Sequence, residues 1–171
     1  MIATPLKPLQ EFLKRPDIDQ SPALELLERG VQQKPMATYE HSELQLFLVN
    51  SIRAASQDYK AYQELRCNVA GQSLVPDVVV VPATDKPKGH HSGAPVWLIE
   101  IRSPDQTTAK LTSKIIHCLE HGSQLGWVID LQRQRITVWR NGEDETYTGP
   151  QVVPGMDLLN LTVAEILSEA G

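Results

Sequence analysis

Leu74-Val75-Pro76-Asp77-Val78-Val79-Val80-Val81 and Val96-Trp97-Leu98-Ile99-Glu100-Ile101-Arg102-Ser103 decide the fold of this chain. Both runs are short, rich in β-branched residues and bounded by Pro or Gly, so both read as buried strands. Each carries one carboxylate, Asp77 or Glu100, in an environment where a charge is costly to desolvate unless something neutralises it. A divalent cation held between them would do so and would bring phosphodiester hydrolysis within reach. The two acids are 23 positions apart, room for a strand, a loop and a return strand. Arg102, two residues after Glu100, points to the same face of the strand and can neutralise the site or contact phosphate. Lys114 can reach the site from the following helix. Plainer readings stay open here: Asp77 as a strand-end carboxylate capping a turn, and Glu100 in a buried salt bridge with Arg102 or Lys114.

Outward from these strands, His41 to Ser56 reads as a helix whose inward stripe holds His41, Leu44, Gln45, Leu48, Ile52 and Ala55, with Glu43 on the solvated side. Residues 23–34, centred on Arg29-Gly30, read as a β-hairpin. Tyr62–Val69 and Ser73–Val81 read as two strands joined at Ala70-Gly71-Gln72. Residues 83–95, with His90-His91, read as a mobile loop. Pro104 ends the second acidic strand. A helix over Thr107–Glu120 follows, capped by Gly122, with Leu111, Ile115, Cys118 and Leu119 inward and Lys110, Lys114, His117 and His121 on a separate polar stripe. Gly126–Asp130 and Arg135–Arg140 pair as a hairpin before a turn at Asn141-Gly142. Thr162-Val163-Ala164-Glu165 is a capping box opening a last helix, with Ile166 and Leu167 inward. Residues 1–21, with three prolines and an amphipathic stretch around Phe12, read as a peripheral segment. The expected architecture is α/β: one domain over 22–171 with a single mixed sheet.

A chain of 171 residues with 41% hydrophobic and 22% charged residues supports a full core. No apolar run spans a bilayer, no signal-peptide pattern opens the chain, and two cysteines suggest no disulfide framework, so a cytoplasmic location is expected. The net charge of −5 argues against constant, tight nucleic-acid binding but leaves room for a local basic patch around an acidic centre. There is no Gly-rich phosphate loop, no Gly-x-Ser-x-Gly elbow and no Cys-x-x-Cys pair, which removes the common nucleotide, hydrolase and zinc readings.

Six segments together resemble the Uma-type putative restriction endonucleases, a family within the PD-(D/E)XK nuclease superfamily. They are Phe12-Leu13-Lys14, Glu25-Leu26-Leu27-Glu28-Arg29-Gly30, His41-Ser42-Glu43-Leu44-Gln45, Leu74-Val75-Pro76-Asp77, Ile99-Glu100-Ile101-Arg102-Ser103-Pro104 and Leu125-Gly126-Trp127-Val128-Ile129-Asp130. The resemblance spans about Leu9 to Leu167. It implies a restriction-endonuclease-like core with flanking helices, and magnesium (or manganese) at Asp77 and Glu100. It also implies a nuclease acting on DNA. Where the superfamily sets a lysine two residues after the acidic strand residue, this chain has Arg102; the family's helical lysine corresponds to Lys114, and Cys118 stands where a tyrosine is frequent. His41, on the inward stripe of the first core helix, joins the site, and Glu43 does not. Because double-strand cleavage needs two centres, a two-fold homodimer is expected, with 23–34 and 135–140 as its surfaces. The other readings are a nuclease-fold nucleic-acid-binding protein without turnover and a phosphodiesterase acting on RNA or a small molecule.

Overall fold

A computed structural model describes residues 6–86 and 88–171. Residues 1–5 of the expected N-terminal segment and Pro87 of the expected loop lie outside the described residues. In chain order the elements are α1 (Leu6–Leu13), β1 (Leu24–Leu27), β2 (Gly30–Gln33), α2 (Tyr39–Ala55), β3 (Tyr59–Gln63), β4 (Cys67–Val69), β5 (Gln72–Leu74), β6 (Val78–Pro82), β7 (His91–Ser92), β8 (Trp97–Ile101), α3 (Thr108–Leu119), β9 (Leu125–Asp130), β10 (Arg135–Arg140), β11 (Glu143–Thr148) and α4 (Val163–Ser168).

The strands form two mixed sheets where one was expected: β11-β10-β9-β8-β6-β3 and β2-β1-β5-β4-β7. The reason lies in the two long strands read over 62–81. Glu64 sits at positive φ (50°), and the chain breaks again at Pro76, so each run divides into one strand per sheet. β7, inside the segment read as a loop, pairs in parallel with β4, and His91 is buried. β11 was not anticipated, because Glu143-Asp144-Glu145 carries no apolar pattern; it pairs with β10 along its whole length. β10 is therefore interior to its sheet, and 135–140 presents no free strand edge. The hairpin β1–β2 turns at Glu28-Arg29, as its sequence signals, and β2 ends the smaller sheet.

Alternation along the central strands separates two cores. Val78 and Val80 of β6, with Trp97, Ile99 and Ile101 of β8, pack with Leu44, Leu48 and Ile52 of α2 and with α4. Val79, Val81 and Leu98 face the other way, onto Leu111, Ile115 and Cys118 of α3 and onto β4 and β5. On α2 the buried stripe includes Val49, and Ala55 is exposed. α3 approaches β9 very closely: a Cβ on Gly126 would stand 2.5 Å from Ile115 Cγ2, so only glycine fits there. Thr162 and Glu165 form the reciprocal capping box of α4.

Candidate active site

Asp77 lies just before β6 and Glu100 lies within β8. The antiparallel register pairs Val78 with Ile99, so one further step sets Asp77 opposite Glu100. Directly opposed residues share a sheet face, here the face that carries Val79 and Leu98. Asp77 Oδ2 accepts a hydrogen bond from the Ile101 backbone N–H (2.6 Å), which fixes its carboxylate against β8. Both acids are buried, at 3% and 1% exposure.

Four side chains converge on these two. His41 Nε2 stands 3.2 Å from Asp77 Oδ2, and Gln45, one turn further along α2, donates to the Asp77 carbonyl (2.8 Å). Lys114 Nζ lies 2.6 Å from Glu100 Oε1 and 2.7 Å from Glu25 Oε2. Lys34 Nζ contacts Asp77 Oδ1 (2.9 Å), Val75 O (2.6 Å) and Glu64 Oε1 (3.1 Å). Three buried carboxylates therefore face two buried ammoniums.

Lys114 corrects the expectation of an exposed polar stripe on α3. It is 3% exposed, because the smaller sheet covers that face of the helix. His41 keeps its inward position. Arg102 turns away from the cluster, with Nη1 3.2 Å from Gln132 Oε1 and 3.8 Å from Asp130 Oδ1. Cys118 is buried, and burial pushes its thiol up to about 12, so it stays protonated as a weak donor and offers no thiolate. Glu25 and Lys34 were missed as site residues. The alternation Leu24-Glu25-Leu26 does place Glu25 on one face of β1, but a hairpin acid ordinarily faces water. Lys34 had no signal beyond its place at the end of the hairpin.

The electrostatics follow from burial and partners. Burial favours a neutral Asp77, yet the Lys34 ammonium and the His41 hydrogen bond hold it well below the usual carboxylate range. Burial pushes Glu100 up to about 7, opposed by Lys114 and reinforced by Asp77. Burial works against the charge on His41, but the hydrogen bond to Asp77 wins and its pKa is raised. Lys34 and Lys114 are likewise raised against their burial, chiefly by Asp77 and Glu100 respectively. Four buried side-chain polar atoms among the described residues lack an aligned hydrogen-bond partner: His41 Nδ1, Glu100 Oε1, Arg102 Nε and Trp97 Nε1. The first two belong to the cluster, and unsatisfied groups of this kind cost about 1–3 kcal/mol each.

A groove of about 510 Å³ opens beside Lys114, between the β1–β2 hairpin and α3; Arg29, Gln32, Gln72, Lys110 and His117 line it. Arg29 and Lys110 make no ion pair among the described residues; the acids Glu28 and Glu120 also line the groove, and the His117 imidazole is an aromatic ring on its wall.

Over residues 9–167 the chain matches the Uma2 family, described as putative restriction endonuclease. It belongs to that family. The Uma2 chain is also similar to the crystal structure of a putative nuclease belonging to DUF820 from Anabaena variabilis ATCC 29413. The TM-score is 0.89 at 36% identity, covering 95% of this chain and 98% of that one. No curated protein matches it. These similarities bear out the α/β nuclease-type fold expected from the sequence. Among the described residues, no helix is long and apolar enough to cross a membrane.

A divalent metal is what such a family implies, and the donor chemistry fits one. Asp77 and Glu100 supply hard oxygens, and magnesium is commonly held by one or two carboxylates with water and substrate phosphate completing its shell. Glu100 Oε1 lies 2.6 Å from the Lys114 ammonium, so an ion bound here would share this carboxylate with the lysine. Among the described residues, no group of three or more His, Cys, Asp or Glu side chains is placed to hold a metal ion.

Proposed function

We propose that this protein is a magnesium- or manganese-dependent endonuclease that hydrolyses DNA phosphodiester bonds. What supports the reading is the pairing of Asp77 with Glu100 across β6 and β8, with Lys114 on Glu100, in a chain of a nuclease-type family. Asp77 and Glu100 would hold the ion, which when bound polarises the scissile phosphate and acidifies a water. His41 and the Ile101 N–H orient Asp77. Lys114, kept in place by Glu25, lies beside Glu100 to stabilise the charge that develops on the phosphate. The groove beside Lys114 offers Arg29 and Lys110 to a nucleic-acid backbone, while Glu28 and Glu120 on the same wall limit its positive charge. Arg102, engaged with Gln132 and Asp130, has a smaller role. The working unit is the domain of residues 22–171, onto which Phe12 and Ile18 are buried, acting in the cytoplasm as a two-fold homodimer. The β2 edge suits that pairing, since Val31 is exposed there, whereas Glu143-Asp144-Glu145 on the β11 edge would repel a second copy.

Supercoiled plasmid tests this reading. Magnesium or manganese should support nicking and calcium should not; Asp77→Ala should abolish it. Lys114→Ala should slow it about a hundredfold or more with ion binding retained. Nicking that survives in Asp77→Ala refutes the mechanism. A second reading, a nucleic-acid-binding protein without turnover, draws support from the two lysines that already pair the acids; DNA and ion binding without cleavage in the wild type would select it.

A further inference from the structure

We propose that Lys34 is a displaceable resident cation: it holds Asp77 in the free protein and must yield when a divalent ion binds without an anionic phosphodiester to balance its charge. The inference rests on the nuclease reading and adds a residue and a coupling to it.

The three acceptors around Lys34 Nζ, at 2.6–3.1 Å, match the three donors of an ammonium. They differ in surroundings. Asp77 is buried, whereas the side chain of Glu64 is 52% exposed. Lys34 and Glu64 both line an open cavity of about 350 Å³, bordered also by Met36 and His90. Lys34 therefore has an acceptor and a volume to move into without losing all its partners, and its four-carbon stem permits the swing. Lys114 is held between two carboxylates that are both 2% exposed.

Charge balance supplies the coupling. Glu25, Asp77 and Glu100 contribute three negative charges when ionised, against two from Lys34 and Lys114. A divalent ion added alone leaves excess positive charge in a desolvated place. A phosphodiester relieves it, and so does the departure of Lys34 toward Glu64. Ion and phosphodiester must then raise each other's affinity by the same factor, and Lys34 sets how large that factor is.

Isothermal calorimetry with calcium chloride, with and without a short DNA duplex, reads this directly and needs no turnover. In the wild type the duplex should tighten calcium binding about tenfold or more. Lys34→Met should bind calcium about tenfold more tightly without duplex, and the duplex should then add little. Glu64→Gln, at an exposed side chain that the fold does not need, should weaken calcium binding severalfold by removing the landing point. Equal calcium affinity with and without duplex in the wild type overturns the proposal, as does Lys34→Met binding calcium no more tightly than the wild type. If Lys34→Met does not fold, unchanged affinity in Glu64→Gln overturns it. Glu100→Ala separates the two levels. Calcium binding lost in Glu100→Ala but indifferent to duplex in the wild type sinks this proposal alone, whereas calcium binding that survives Glu100→Ala sinks the assigned centre as well.

Discussion

The protein buries charge in two places, and it does so in opposite ways. Arg66, 2% exposed, gives every guanidinium nitrogen an acceptor: Nε to Asp19, Nη1 to Ser73, Nη2 to the carbonyls of Ile18 and Leu24. Its guanidinium also stands 5.5 Å over the ring of Phe12. Those partners tie the segment after α1, the start of β1 and β5 to one point. The carboxylate–lysine cluster is as deeply buried, yet its three carboxylates outnumber its two ammoniums and His41 Nδ1 has no partner. A matched buried charge fixes architecture. An unmatched one costs stability, and its retention points to chemistry.

The sharpest way to break the comparison is to neutralise one charge in each place. Glu100→Gln should cut plasmid nicking about a thousandfold while leaving the urea midpoint unchanged or raising it, since it removes the excess negative charge of the cluster and leaves Lys114 its Glu25 partner. Arg66→Ala should do the reverse. It leaves a hydroxyl and two carbonyls without their donor and should lower unfolding free energy by about 3–5 kcal/mol, measured by the same denaturation. Equal stability losses in the two variants would erase the distinction.

A pH series refines it. Glu100 is raised from 4.5 to about 7, so the folded state holds its proton longer than the unfolded chain, and stability falls as pH rises across that window. His41 is raised too; its contribution is complete below 6.5 and is lost as pH rises through its folded value. Asp77 is lowered, so its contribution is present above 3.8 and lost as pH falls toward its folded value. Thermal or urea unfolding should therefore weaken by on the order of 1–3 kcal/mol between mildly acidic and neutral pH, and Glu100→Gln should flatten most of that slope. Calcium affinity should rise over the same interval, because the ion needs the ionised carboxylate. The smallest effect belongs to the groove. Arg29→Ala and Lys110→Ala should each weaken duplex binding modestly and reduce the salt slope by about one, with neither urea midpoint nor ion affinity altered. A slope that does not change would remove the groove from the nucleic-acid path.

Asp77 and Glu100 were legible because an acid inside an otherwise apolar β-branched run has few explanations. The β1–β2 hairpin was legible from Arg29-Gly30, and α4 from its capping box. The second sheet was not, because strand breaks at Glu64 and Pro76 are single-residue events inside patterns that alternate smoothly on either side. Lys114 was found as a site residue but read as exposed. Helical periodicity reports one face at a time, and it is the smaller sheet, formed from distant segments, that covers the second face of α3. Glu25 and Lys34 were hidden for the same reason. Their burial is a property of how the hairpin folds back over β6 and β8, and nothing local to Leu24-Glu25-Leu26 or Lys34-Pro35 announces it.

Gly126 gives the last lesson, about distance in place of charge. The helix that carries Lys114 rests on β9 through Ile115, the very next residue, and the missing side chain at 126 sets how deep that helix sits. A single methyl there would act as a shim. It would lift α3 from the sheet and carry an ammonium now 2.6 Å from Glu100 out of register, with no charged residue altered. Position 126 is thus a calibration point of the proposed centre, and a scan of polar residues alone would pass over it.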